Sequence, residues 1–305
     1  MPSPHVSTNF PDLLDRRFTK IFVDQYDQLP TMLPLLYSMQ SARKGADEKY
    51  SEVGDLTDFD QFTATLSFDS ANQGFDVTAT HLEFAKGISV RRKLRDDDLF
   101  GVIDDLPRGL ATAAKRTRES DGARIYTLAF SIDTKFYNHS EGVPLCSNSH
   151  TTTSGASTSS GFDNLLTSAL SAAALATARI QMRDFRDDRA NRINIMPNEI
   201  WIPPDLYETA FEIVSSMGKV ETANNNANVH MGQYTIYEWN YMTDTNDWFL
   251  TDSNMRKENL KWFDRIGLEF GRAEEFDTFN MKWRAYMRYS NLWRGWRWIL
   301  GNQVS

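Results

Sequence analysis

The chain has 305 residues, a formal charge of -8 and a single cysteine, with 41% hydrophobic and 24% charged residues. One cysteine excludes an intrachain disulfide and a cysteine-ligated zinc site, and the acidic balance argues against a protein that wraps nucleic acid by counterion release. A chain of this length buries roughly three quarters of its extended surface, so it has room for one large core or two fused ones.

The longest apolar run near the start, Leu29 to Tyr37, is broken by Pro30 and Pro34 and reads as neither a signal segment nor a membrane span. The expectation is a soluble, unprocessed chain made inside the cell. Residues 1 to about 50 read as an extended arm with short helical pieces, interrupted by Pro2, Pro4, Pro11, Pro30 and Pro34. Its apolar positions Phe10, Leu13, Leu14, Phe18, Ile21 and Phe22 fall at roughly helical spacing. Such a segment closes no core alone, so these side chains must lie on the rest of the fold or on another subunit.

Gln61 to Phe68 alternates strictly, with Phe62, Ala64, Leu66 and Phe68 on one face. Asp69 to Gly74, including Asn72, supplies turn residues, and alternation resumes at Phe75 and Val77 before changing register at His81. This predicts a long hairpin, which is marginal in isolation and must rest on another surface. Asp96-Asp97-Asp98 suits the N-terminus of a helix carried by Leu99, Ile103, Leu106 and Leu110 and ending near Asp121-Gly122. Pro107 either kinks that helix or sits in its first turn. Arg124 to Ile132 then reads as a strand, and the Ser/Thr-rich stretch Ser147 to Gly161 as a surface loop.

A second helix is predicted from Leu166 to Met182, a buried strand from Ile193 to Ile202, and a helix opened by Pro203-Pro204 with Leu206, Ala210, Ile213 and Val214 on one face. Glu221 to Asn228, with Asn224, Asn225 and Asn226, reads as a polar loop tip. Near the end, Phe279, Met281, Trp283, Ala285, Met287 and Tyr289 alternate with polar residues as one strand. Ile266, Leu268 and Phe270 form its partner, with Gly271 to Asp277 as the turn.

Few residues invite chemistry. Cys146 and His150 read as a nucleophile and base, but they are four apart on a Ser/Thr-rich loop that holds neither in place. The acidic clusters Asp96 to Asp98, Asp104-Asp105 and Asp187-Asp188 read as metal ligands or, more simply, as caps and solvated charge. Trp283, Trp293, Trp296 and Trp298 with Arg284, Arg294 and Arg297 form either a stacking platform or a sheet core, and the alternation around Trp283 favours the core. No glycine-rich phosphate loop, G-x-S-x-G, H-E-x-x-H or nucleotide fingerprint is present, so no cofactor and no metal site is expected.

Several local phrases, in order, resemble the major capsid proteins of tailed bacteriophages, in particular the Mu-like major head subunit group. They are FDVTATHLEFAKGISVRRKLR at Phe75 to Arg95, DDDLFGVIDDLP after it, GVPLCSNSH at Gly142 to His150, NIMPNEIWIPPDLYETAFEI at Asn194 to Ile213, and the Trp/Arg-rich end. The resemblance implies an α+β fold of the Hong Kong 97 type. Its parts would be an N-terminal arm (1–55), an extended β-hairpin loop (56–95), a peripheral domain with a spine helix and surface loop (96–190), an axial domain (191–255), and C-terminal strands returning to the peripheral domain (256–305).

The implied role is a non-enzymatic structural subunit, forming hexamers and pentamers of an icosahedral shell around phage double-stranded DNA. It would be assembled in the host cytoplasm and located in the virion, with no membrane partner. Phe62, Leu66, Phe68, Asn72, Phe75 and Val77 would be assembly residues of the extended loop, and Phe10, Leu14, Phe18 and Phe22 those of the arm. Asn224, Asn225 and Asn226 would point to the capsomer centre. The negative charge suits a lumen that does not trap packaged phosphates. Further partners would be a portal, a separate scaffolding protein and optional decoration proteins. A separate scaffold, or none, is expected because the arm starts almost at Met1, whereas many relatives carry a scaffolding domain ahead of it. Two alternatives are a nanocompartment (encapsulin-like) shell of the same fold and a cytoplasmic hydrolase using Cys146 or an acidic cluster.

Overall fold

The computed structural model describes residues 11–42, 45–62, 65–66, 68–97, 102–218, 227–275 and 277–304, and for residues 11–16, 95–96 and 102 the backbone alone. The chain folds as α+β in two compact units. One draws on Met1–Leu33, His81–Asp121 and Asp264–Tyr289, the other on Pro34–Thr80, Gly122–Phe263 and Ser290–Ser305.

In the first unit the arm is helical. Pro11 opens α1 (Pro11–Gln28), where its missing N–H costs no hydrogen bond, and the rest of this 18-residue helix contains no breaker. Phe18 packs with Val90, Ile103, Met281 and Trp283, and Phe22 with Leu110, Ala111 and Ala285. The Phe18 ring meets Trp283 edge-on at 5.1 Å, and Phe22 stacks on Phe270 at 4.6 Å. The segment expected as an extended arm with short helical pieces thus begins with one 18-residue helix, whose Phe18 and Phe22 are buried on the rest of their own fold and whose Tyr26 is partly buried. Phe10 lies outside the described residues, and Leu14 is described by its backbone alone.

Those aromatics cover β4 (Leu82–Arg91), β10 (Leu260–Glu274) and β11 (Asn280–Trp293); the strand order is β1-β10-β11-β4, with β1 (Ser38–Ser41), the start of β10 and the end of β11 drawn from segments of the second unit. β11 runs antiparallel to β4, with Trp283 opposite Ile88 and Met287 opposite Phe84. Met281, Trp283, Ala285, Met287 and Tyr289 are all buried, as the alternation predicts. Phe279 is not part of that face. It is 55% exposed at a φ of 53° and closes the turn by donating its N–H to the Glu275 carbonyl at 3.0 Å. β10 also continues past Gly271, so the turn begins later than expected.

After β4 the acidic run ends the short helix α3 (Arg92–Asp96) instead of starting a longer one. A 3-10 turn at Val102–Asp104 leads into α4 (Asp105–Thr127), with Asp105 in its first turn beside Pro107. Asp121-Gly122 does not stop α4, and no strand forms over Arg124 to Ile132. Ala123, Ile125 and Tyr126 are buried, so tertiary packing carries the helix past its glycine.

The second unit holds two sheets. The smaller is ordered β2-β3-β5, from β2 (Asp47–Val53), β3 (Gln73–Thr80) and β5 (Tyr137–His139). β3 pairs antiparallel with β2, Tyr50 lying opposite Val77. The strand expected at Gln61 to Phe68 is thus displaced to Asp47–Val53, and no described residue from 54 to 72 is in a strand. Alternation stabilises a strand only where one face meets a core, and the described side chains there meet none. His81 separates β3 from β4, which pair with different strands, and this accounts for the change of register.

The larger sheet is ordered β6-β12-β9-β7-β8, from β6 (Leu165–Leu166), β7 (Glu199–Ile202), β8 (Thr235–Glu238), β9 (Trp248–Thr251) and β12 (Ile299–Asn302). β7, β9 and β12 are buried at every position. The predicted strand around Pro197 shortens to Glu199–Ile202, and the helix predicted from Leu166 starts at Ala172. There Ser171 caps α5 (Ala172–Arg183) by accepting from the Ala174 N–H at 3.1 Å. α6 (Tyr207–Ser215) buries Ala210, Ile213 and Val214 as expected. α7 (Ser253–Asn259) is capped by Asp252 and carries Arg256, which forms a bidentate ion pair with Glu199 and donates to carbonyls of the short helix α2 (Leu33–Leu36).

Candidate functional site

The residues that invited chemistry are built into the fold. Cys146 is 1% exposed, and burial pushes its thiol well above the ordinary range, so no thiolate is available. The His150 ring stacks on Trp296 at 4.3 Å. Its Nδ1 lies 3.0 Å from Glu141 Oε1, and its Nε2 faces the Leu145 carbonyl and Asn164 Oδ1. The imidazole is therefore oriented by a buried carboxylate and spends its polar atoms away from the thiol.

Trp283, Trp293, Trp296 and Trp298 are all buried, so the stacking platform does not exist. Of the acidic clusters, Asp104 pairs with Arg17 and Asp105 with Arg108. Asp98 lies outside the described residues. Asp55, Asp187 and Asp188 bring carboxylate oxygens within 4.8 Å of one another, and each of the latter two accepts backbone N–H bonds.

His139 is held neutral by its neighbours. Its ring stacks on Trp293 at 4.0 Å, Nε2 lies 3.1 Å from the Arg294 carbonyl, and Nδ1 accepts from the Glu141 N–H at 3.3 Å. A proton on Nδ1 would face that N–H. Burial, the largest influence, holds its pKa below the ordinary value, against the pull of the Arg294 carbonyl and the Glu141 carboxylate. The unfolded chain therefore takes up this proton first, and the associated stability, complete above about pH 6.5, is lost on acidification. Glu52 and Asp55, whose pKa values are raised chiefly by burial, act in the opposite sense. The measurement is accordingly a difference: between about pH 7.5 and 5.5 the wild type should lose more melting temperature than His139→Gln, and parallel slopes would refute the assignment.

What remains is surface. Between β2 and β3, Phe59, Phe62, Leu66 and Phe68 are 105%, 67%, 69% and 93% exposed, and Leu56 is exposed beside them. A run of large apolar side chains in water is unusual for a chain that acts alone. The base of this loop is closed by the Gly54 N–H donating to the Asn72 carbonyl at 2.7 Å. Phe75 is half-buried and Val77 fully buried in β3, so these two belong to the root and not to the exposed stripe. Phe211 of α6, Met217, Val229 and Met231 are exposed as well. Asn224, Asn225 and Asn226 lie outside the described residues.

The sequence reading missed the Arg256–Glu199 pair and the Glu141–His150 pair. A lone carboxylate in the otherwise apolar strand Glu199–Ile202 was the available signal for the first.

A family model described as phage capsid protein matches residues 76–301. Among solved structures, the chain is similar to the procapsid of bacteriophage JBD30 (13% identity, TM-score 0.55, covering 98% of this chain and 76% of that one). It is also similar to the capsid of cyanophage P-SCSP1u (13% identity, TM-score 0.56, 88% and 86%). The mature capsid of bacteriophage PhiM1 matches at 10% identity with a TM-score of 0.59, covering 91% and 88%. No curated protein matches the chain.

Proposed function

The chain belongs to the phage capsid protein family, and on that premise we propose that its copies enclose phage double-stranded DNA in an icosahedral shell, held together in part by the loop between β2 and β3. It is a structural major capsid protein of the Hong Kong 97-type fold. The observation that carries the assembly reading is the exposed stripe Phe59, Phe62, Leu66 and Phe68, too apolar to be left in water by a finished particle. Seating these side chains on a neighbouring copy would remove that surface from solvent. In the same reading α4 serves as the spine of a peripheral domain, and α6 belongs to an axial domain. A portal would be a further partner, in a host cytoplasm where assembly precedes packaging. No helix among the described residues is long and apolar enough to cross a membrane.

The experiment is electron microscopy of the purified product, which should show shells of fixed diameter. Replacing Asp58 to Phe68 with a short Gly-Ser linker should leave the melting temperature of the subunit unchanged, because the described side chains removed lie outside both cores. Particle yield should fall by roughly tenfold or more, as expected when a central apolar anchor is lost from an interface. Shells forming at wild-type yield from this variant would remove the loop from assembly.

A further inference from the structure

The loop between β2 and β3 carries no strand or helix among its described residues, yet its two limbs are tied at their roots to one distant turn. That turn, residues 187–191, is rigidly built. The Asp187 carboxylate accepts the N–H groups of Arg189 (2.9 Å) and Asn191 (2.7 Å), and its own N–H donates to the Asn191 carbonyl. Ala190 occupies the left-handed region at a φ of 67°, a conformation such side-chain-to-backbone bonding supports. The Asp188 carbonyl is held by the hydroxyls of Thr152 and Ser154.

From this turn the Arg189 guanidinium reaches both limbs at once. Its Nε donates to the Asp55 carbonyl at 2.6 Å, and its Nη2 donates to the Ser70 carbonyl at 2.6 Å while pairing with Asp69 Oδ1 at 3.3 Å. Asp188 Oδ1 accepts the Asp55 N–H at 2.9 Å. Gly54 lets the limbs approach: a Cβ there would lie 2.6 Å from Asp188 Oδ2 and 2.9 Å from the Asn72 carbonyl. A planar fork of donors suits two carbonyls in fixed directions, a geometry that an ammonium on a flexible stem does not hold in advance.

We propose that Arg189 is a positioning residue: it clasps the two limbs of the 54–72 loop together and so presents Phe59, Phe62, Leu66 and Phe68 in the arrangement that assembly uses. The proposal rests on the assembly reading of the loop given above. Without the clasp, a loop with no strand or helix among its described residues would sample many conformations and meet its partner surface in few of them.

The test uses full-length unassembled subunits with Arg189→Ala and Arg189→Lys. Chymotrypsin should cut after Phe59, Phe62 or Phe68 roughly tenfold faster in both variants, because local opening sets the rate, while the melting temperature stays at the wild-type value. Particle yield should fall alongside. Unchanged cleavage rates would overturn the clasp outright. Faster cleavage with normal yield would overturn the presenting role, unless the Gly-Ser loop replacement also assembles normally, which would place the failure in the assembly reading instead. Should a variant not fold, hydrogen exchange on the wild type decides: the Gly54 and Asp55 amides should be protected, and free exchange at both would refute the clasp.

Discussion

Arg256→Leu is expected to leave the subunit mostly insoluble, at a cost of about 3–5 kcal/mol, because it strands the Glu199 carboxylate in the interior. Arg256 is 1% exposed, and its Nε and Nη2 each lie 2.8 Å from a different oxygen of Glu199. Its Nη1 donates to the carbonyls of Leu35 and Leu36, so one guanidinium ties α7, β7 and α2. Thr251 and Trp201 donate to Glu199 as well. For a fold with a net stability of about 5–15 kcal/mol, losing that much removes most of the margin. Soluble yield and melting temperature of Arg256→Leu, beside the double variant Arg256→Leu/Glu199→Leu, measure it. The double variant buries no uncompensated charge and should recover part of the loss. A single variant that melts with the wild type would mean that the pair is solvated.

Trp283→Ala should cost about 3–5 kcal/mol through lost transfer energy and the cavity left behind. The side chain is 4% exposed near the start of β11, opposite Ile88, and packs edge-on against Phe18 of α1. The substitution therefore removes part of the floor on which the N-terminal helix sits. Phe279→Ala is the internal reference: 55% exposed at the neighbouring turn, it should change stability by no more than about 0.5 kcal/mol. Equal melting temperatures for the two variants would sink the buried placement of Trp283.

How well each element could be read follows from what its pattern measures. The alternation of Met281, Trp283, Ala285, Met287 and Tyr289 was legible because β11 has one buried face. Ala210, Ile213 and Val214 were legible because α6 covers one side of a sheet-bearing unit. The same alternation misled at Gln61 to Phe68, since sidedness specifies a strand only when a core waits on one side. Arg124 to Ile132 misled in the other direction, where packing of Ile125 and Tyr126 outweighed a glycine and the local β-branched and aromatic residues. α1 was read as a broken arm because helical spacing says nothing about which surface will receive Phe18 and Phe22. The clasp was invisible for a plainer reason: Arg189 and Asp55 are 134 positions apart, and neither has a local pattern that points to the other. The exposed apolar stripe, by contrast, was present in the residue types of Phe62, Leu66 and Phe68, even though their secondary structure was misjudged.

The sealed position of Cys146 leaves the native chain without a reactive thiol on its exterior. Thiol-directed reagents attack the thiolate, and the only sulfhydryl in the sequence is buried with its ionisation suppressed. A cysteine introduced at an exposed loop position, such as Asp58→Cys, would accordingly take up a fluorophore alone and report its own docking without background. Left unaltered, the same chain carries a built-in clock. Cys146 stays silent toward a maleimide while the surrounding strands are closed, and the time at which it begins to react marks when they open.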